Sequence, residues 1–272
     1  MKKILCPTDF SETAQNGIVY AAKFSHQIGA TLTLFNVQSL FNINPLEIVQ
    51  GKMLRVNAFK ELLEEQSYEI SSTFKISCYA EVQPSSTSLA NTIAEKATEY
   101  DLIIMGTNGS EDLFQFLSGS HAYNAVLKTN VPAVLIHSGC MYSEIKNVVY
   151  AFDYLRERKL PVQQLMPIIS ALKAQLTVLQ VMEEAHSKEL DDHLKELQGM
   201  LHAEYGDTAP LKFDTVRSSS ITTSIYNYVR NSEPDALAVC TVNRNFIQSL
   251  FHKSVTKSLS SVSEYPVFVF HG

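Results

Sequence analysis

Short apolar runs alternate along this chain with longer stretches in which every third or fourth position is apolar. Residues 4–7, 31–37, 76–82, 102–105 and 131–136 have the length and composition of buried strands. Between them the period lengthens. Ser11 is a plausible N-cap for a helix through Ile28 with Ile18, Ala21, Ala22 and Phe24 on its inner face, and Gly29 ends it. Leu54, Ala58, Leu62 and Leu63 give helical spacing to the long excursion between residues 38 and 72, and residues 88–99 and 122–129 read as further helices. Strands alternating with helices predict an α/β fold with a doubly wound, five-stranded parallel sheet.

The pattern then repeats. Residues 147–153 match residues 3–9 at an offset of 144, and residues 174–181 match 30–37 at the same offset. Thr241 matches Thr107 and Pro266 matches Pro132 at an offset of 134. The difference falls between the second and fourth strands, where the second half has a shorter helix around residues 186–205. Self-similarity of this kind predicts two tandem domains, residues 1–140 and 141–272.

The candidate chemistry lies at strand ends. After the apolar run that ends at Met105 come Gly106, Gly109 and, before the helix at 122–129, Gly119-Ser120. Glycines let a backbone turn sharply and approach a ligand closely, and a helix N-terminus with a hydroxyl beside it favours phosphate. An ordinary glycine-containing loop with Ser120 as N-cap fits the same residues. Asp9 ends the first strand at the carboxyl edge, where open α/β sheets bind ligands. Its carboxylate suits a ribose hydroxyl or an adenine amine, and equally a helix cap.

Gly106, two residues, Gly109, nine residues, Gly119-Ser120 resembles the nucleotide-binding signature of the universal stress protein family. The opening Ile4-Leu5-Cys6-Pro7-Thr8-Asp9-Phe10-Ser11 resembles that family's first strand and loop. The resemblance implies two Rossmann-like domains and a regulatory, stress-responsive protein that binds ATP, ADP or AMP, with Mg²⁺ as a possible companion. It implies that Pro7, Thr8 and Asp9 hold the adenine and ribose end, and that the main chain of Val37 meets the adenine. Gly106, Gly109, Gly119 and Ser120 then hold the phosphates; Met105, before Gly106, and His121, after Ser120, are candidates beside them by position, and His121 fits equally a surface residue of the first helical turn. In the second half the glycine positions hold Cys240, Asn243 and Lys253, with Ser254 retained, so that half is expected to be a degenerate site. In the family the last strand pairs across a dimer, so residues 131–136 and 266–270 are expected to pair within one chain, an intrachain pseudo-dimer.

Composition narrows the alternatives. The 272 residues are 45% apolar and 18% charged, as in a folded two-domain protein. Net charge is −6, with 9 basic against 13 acidic residues before Met141, so nucleic-acid binding is disfavoured. No run reaches the length of a membrane span, and the apolar stretch before Asp9 is too short for a signal peptide, which points to the cytoplasm. Cys6, Cys78, Cys140 and Cys240 lack CxxC spacing and read as thiols. His186, His193 and His202 lack the spacing of a metal site, and no GxxxxGK[ST], GxSxG or HExxH is present. Arg55 is the one arginine before Met141, which leaves no arginine clamp for phosphoryl transfer. A nucleotide holder without catalytic residues is therefore expected, with a slow ATPase or phosphate-transfer enzyme, or a ligand-free protein scaffold, as rivals. A homodimer of tandem chains or an unknown protein partner is compatible with all three.

Overall fold

The computed structural model describes residues 1–39, 51–107, 121–152, 160–182, 188–206, 209–218, 220–241 and 265–271. The chain divides into two compact units, Met1–Tyr142 and Ser143–Gly272. Among the described residues, the first unit contains β1 (Lys3–Pro7), α1 (Glu12–Ile28), β2 (Thr31–Ser39), α2 (Gly51–Phe74), β3 (Cys78–Ser85), α3 (Leu89–Ala97), β4 (Leu102–Thr107), α4 (His121–Lys128) and β5 (Ala133–His137). Its strand order is β3-β2-β1-β4-β5, and every pairing is parallel. The second unit contains β6 (Asn147–Phe152), α5 (Val162–Leu172), β7 (Gln175–Met182), α6 (Lys188–Tyr205), β8 (Leu211–Arg217), α7 (Ile221–Ser232), β9 (Ala236–Cys240) and β10 (Val267–Phe270). Its order, β8-β7-β6-β9-β10, is the same design, again all parallel. Two tandem Rossmann-like domains are the architecture that the alternating pattern predicts.

The strands β1, β4, β5, β6, β9 and β10 are buried on both faces, which is why they read as continuous apolar runs. The helix ends follow local chemistry. Ser11 caps α1, its side chain accepting from the Ala14 N–H at 3.2 Å, and Gly29 closes the helix in the left-handed conformation with φ 67°. Ser88 caps α3 in the same way.

The limits of some elements differ from the sequence pattern. The third strand is expected at 76–82 and lies at Cys78–Ser85 instead, because it pairs with β2 through Gln38↔Pro84 and Ser39↔Ser85. Gly106 is expected just after the fourth strand, yet it is a member of β4, in register with Ile136.

The start of the first strand of each unit is tied down by an aspartate that the sequence pattern does not single out. In the first unit the Asp101 carboxylate accepts from the backbone N–H groups of Lys2 and Lys3, at 2.6 and 3.0 Å. In the second the Asp235 carboxylate accepts from those of Lys146 and Asn147, at 2.9 and 2.8 Å. These are the same residues under the two repeat offsets. Partial burial opposes charge on Asp101, but the two N–H donors and the positive N-terminus outweigh it and hold its carboxyl below the ordinary 3.8. A depressed folded pKa contributes stability that is present above the unfolded value and is lost as pH falls through the folded one. Asp101→Asn should therefore cost about 1 kcal/mol at pH 7, a figure kept small by solvent screening at this exposed site. Urea denaturation should show a gap between variant and wild type that is constant above pH 3.8 and closes below it; a gap that persists undiminished below that pH would refute the role.

Candidate functional site

In the first unit the chain order runs outward from β1 through β2 to β3 and then returns to β4 on the other side of β1. The strand order therefore reverses between β1 and β4, the kind of switch point at whose carboxyl edge open α/β sheets place a ligand crevice. Pro7, Thr8, Asp9, Val37, Met105 and Gly106 all sit on that edge, at the ends of β1, β2 and β4. Gly109, Gly119 and Ser120 lie outside the described residues. His121 is the first residue of α4.

The loop after β1 is held from several directions. The Thr8 N–H donates to the Phe35 carbonyl at 2.9 Å, the last bond of β1 to β2. The Thr8 hydroxyl oxygen accepts from the Phe10 N–H at 3.1 Å. Asp9 is exposed, and its Oδ1 accepts from the Ser11 N–H at 3.0 Å. A carboxylate has capacity for further donors beyond that one bond. Phe10 takes φ 65°, a left-handed conformation uncommon for an aromatic residue. It is held there by stacking on Phe59 of α2, with ring centroids 5.7 Å apart.

Val37 is placed by the alternation of strand backbone. Thr31 donates to Lys2, and Phe35 accepts from Thr8, so odd-numbered residues of β2 turn their peptide groups toward β1. Val37 continues that series beyond the point where β1 ends at Pro7. Its N–H and C=O thus face the crevice side, one donor and one acceptor at the strand edge.

The glycine at the end of β4 has a packing reason. A Cβ on Gly106 would stand 2.1 Å from the Thr13 carbonyl oxygen, and one on Gly17 would stand 2.5 Å from the Gly106 nitrogen. Gly17 and Gly106 let α1 lie directly on the end of β4. The sequence reading assigns Gly106 to a turn and a ligand; the structure gives its missing Cβ a packing reason against α1 as well, and Gly17 is the partner that reading missed. An isolated glycine inside an apolar-periodic helix was the available signal.

Next to this edge, the Asn16 side chain donates to the His137 carbonyl at 2.7 Å and to that of Cys140 at 3.3 Å. His137, in register with Thr107, is buried, which pushes its imidazole below the ordinary value and keeps it neutral at pH 7. In the second unit Gln164 bonds the corresponding histidine, donating to the His271 carbonyl at 3.1 Å and accepting from its N–H at 3.1 Å. Cys240, at the repeat position of Gly106, is fully buried at the end of β9.

The thiols carry no redox or nucleophilic signal. Cys6, Cys140 and Cys240 are buried and Cys78 is half-buried, all four unbridged. Burial pushes the Cys78 thiol up to about 12 and that of Cys140 up to about 11, far from thiolate at neutral pH. Among the described residues no group of three or more His, Cys, Asp and Glu is placed to hold a metal ion, and no helix is long and apolar enough to cross a membrane. The His202 ring packs on Phe213, with centroids 5.9 Å apart. Asp153, His186, Asn243, Lys253 and Ser254 lie outside the described residues, and so does the side chain of His193.

The order β3-β2-β1-β4-β5, with helices connecting parallel strands, defines a doubly wound α/β unit of the Rossmann-like class. Residues 1–137 match the Universal stress protein family, and the chain belongs to that family. A universal stress protein from Archaeoglobus fulgidus DSM 4304 is similar over 99% of this chain and 98% of its own, at 16% identity and a TM-score of 0.73. A putative universal stress protein from Pseudomonas aeruginosa UCBPP-PA14 covers 100% of this chain and 93% of its own, at 14% identity and a TM-score of 0.57. At such identities the likeness is one of fold, and it runs through both units. No curated protein sequence matches this one.

Proposed function

We propose that this chain is a regulatory protein of the stress response that binds an adenine nucleotide, ATP or its relatives ADP and AMP, in its first unit. The observation that carries the reading is the pairing, on one edge, of the exposed Asp9 carboxylate with the crevice-facing peptide groups of Val37. An adenine presents an amine donor beside a ring-nitrogen acceptor, which a strand edge matches with C=O and N–H. A ribose presents hydroxyl donors, which a carboxylate accepts. The residues present therefore fit the nucleoside end. Gly109, Gly119, Ser120 and His121, at and before the start of α4, would take the phosphates and any Mg²⁺ that accompanies them.

The second unit is proposed to be a degenerate site, since Asn243 stands at the repeat position of Gly109 and Lys253 at that of Gly119. The protein is proposed to be cytoplasmic and to signal through its nucleotide state without catalytic turnover. Titration calorimetry on the full chain should find one ATP bound per chain. At a hundredfold excess over the dissociation constant, ATP should stabilise the protein by about 2.7 kcal/mol. Two equivalents per chain would overturn the degenerate second site. Absence of heat and of any thermal shift would overturn the nucleotide reading, and steady release of phosphate would favour an enzyme.

A further inference from the structure

Asn36 is 3% exposed, near the end of β2, and its side chain reaches across to the neighbouring loop. Its Nδ2 donates to the Thr8 carbonyl at 2.8 Å, while the side-chain amide of Gln38 donates to its Oδ1. The Thr8 carbonyl, which can only accept, identifies the near end of the Asn36 amide as the donor, and the Gln38 amide holds the other end, the oxygen. Thr8 is thereby held at three points: its N–H by Phe35, its carbonyl by Asn36 and its hydroxyl by the Phe10 N–H. Asp9 follows immediately, and Phe10 is kept in the left-handed region that directs the chain from Asp9 into α1. On the other side Asn36 is bonded through the main chain to Val37. One buried amide thus fixes the distance between the two groups that face the crevice.

We infer that Asn36, clamped by Gln38, is a positioning residue that sets the Asp9 carboxylate against the Val37 strand edge and so gives the site its selectivity for the ribose hydroxyls. The inference rests on the reading of Asp9 as ribose acceptor. An aliphatic residue would fill a buried strand position of this kind more cheaply; a buried polar side chain is retained at a cost unless its bonds are made, and here both are. Freed from Asn36, the Thr8 carbonyl loses its side-chain partner on β2 and the Asp9 loop loses its register with that strand.

The test compares two ligands on the full chain, ATP and 2′,3′-dideoxy-ATP, in the wild type, Asp9→Ala, Asn36→Ala and Gln38→Met. A bond from a ribose hydroxyl to a carboxylate should make the wild type prefer ATP by about tenfold or more, and Asp9→Ala should reduce that ratio to near one. Asn36→Ala is expected to reduce it likewise, and Gln38→Met to reduce it several-fold. A purely structural effect lowers the folded fraction and scales both affinities together, so it leaves the ratio unchanged. If Asn36→Ala does not fold, Gln38→Met decides. A ratio within twofold of wild type in the folded variants, with Asp9→Ala showing the loss, overturns the role of Asn36 while leaving the site intact. A wild type that binds neither ligand, or both equally, overturns the reading of Asp9 and the inference with it.

Discussion

Gly17→Ala should destabilise the first unit, although by helix propensity alone it should do the reverse. Alanine is favoured over glycine by about 1 kcal/mol in a helix interior. Gly17 lies in the middle of α1, between the buried Ala14 and Ile18. Against that gain stands a methyl group placed 2.5 Å from the Gly106 nitrogen and 2.9 Å from its Cα. Both neighbours are backbone atoms of a central strand and cannot rotate away. Gly106→Ala meets the reciprocal obstacle, 2.1 Å from the Thr13 carbonyl oxygen. The helix must lift from β4, loosening the layer that contains Ile18, Ala21, Ala22 and Phe24. Overpacking of this kind costs about 3 kcal/mol, so the contact wins over propensity in both variants. Calorimetry should show the transition of the first unit falling by roughly 10 °C. A rise for Gly17→Ala would mean that helix and strand separate freely and that the glycine pair does not set their distance.

That pair also marks where sequence reasoning stops. The alternation of apolar runs and helical periods is local, and it was sufficient for strand type, helix order and the repeat. The glycine signature pointed to the carboxyl edge of the sheet. It could not distinguish a glycine needed by a ligand from one needed by a helix, because the second demand comes from Thr13 and Gly17 across the fold. Strand limits were misjudged where they meet the site. β2 continues beyond the expected limit through Gln38 and Ser39, and β3 through Gln83, Pro84 and Ser85, residues that end an apolar run but still pair along the carboxyl edge. Asp101, Asp235, Asn16 and Asn36 were invisible for a further reason. Each bonds to backbone groups far away in the chain, and a single polar residue has no period to betray it. Such residues become legible in pairs once the two units are compared. Asp101 and Asp235 stand at one repeat position. Asn16 and Gln164, four residues apart under the 144 offset, both bond the carbonyl at the end of the last strand, that of His137 or of His271.

Gly119→Lys should abolish nucleotide binding while leaving the fold of both units in place. The substitution copies into the first half what the second half already carries, Lys253 at the repeat position. In the proposed site Gly119 stands two residues before the start of α4, where backbone N–H groups and the helix dipole favour phosphate. Charge alone predicts the opposite outcome, since a lysine beside phosphates attracts them. The steric term is the larger if the backbone itself lies against the phosphate oxygens, because a side chain at the point of closest approach excludes the ligand from every N–H at once. Titration calorimetry should therefore find ATP affinity reduced by at least about a hundredfold, equivalent to about 2.7 kcal/mol. The unliganded melting temperature should stay within a degree or two of wild type, unlike that of Gly106→Ala. Gly119→Ala should fall between the two, since a methyl group blocks less than a lysine side chain. Unchanged or tighter ATP binding in Gly119→Lys would show that the phosphates lie elsewhere. The degeneracy assigned to the second unit would then lose its basis, because the same lysine is the main reason for it.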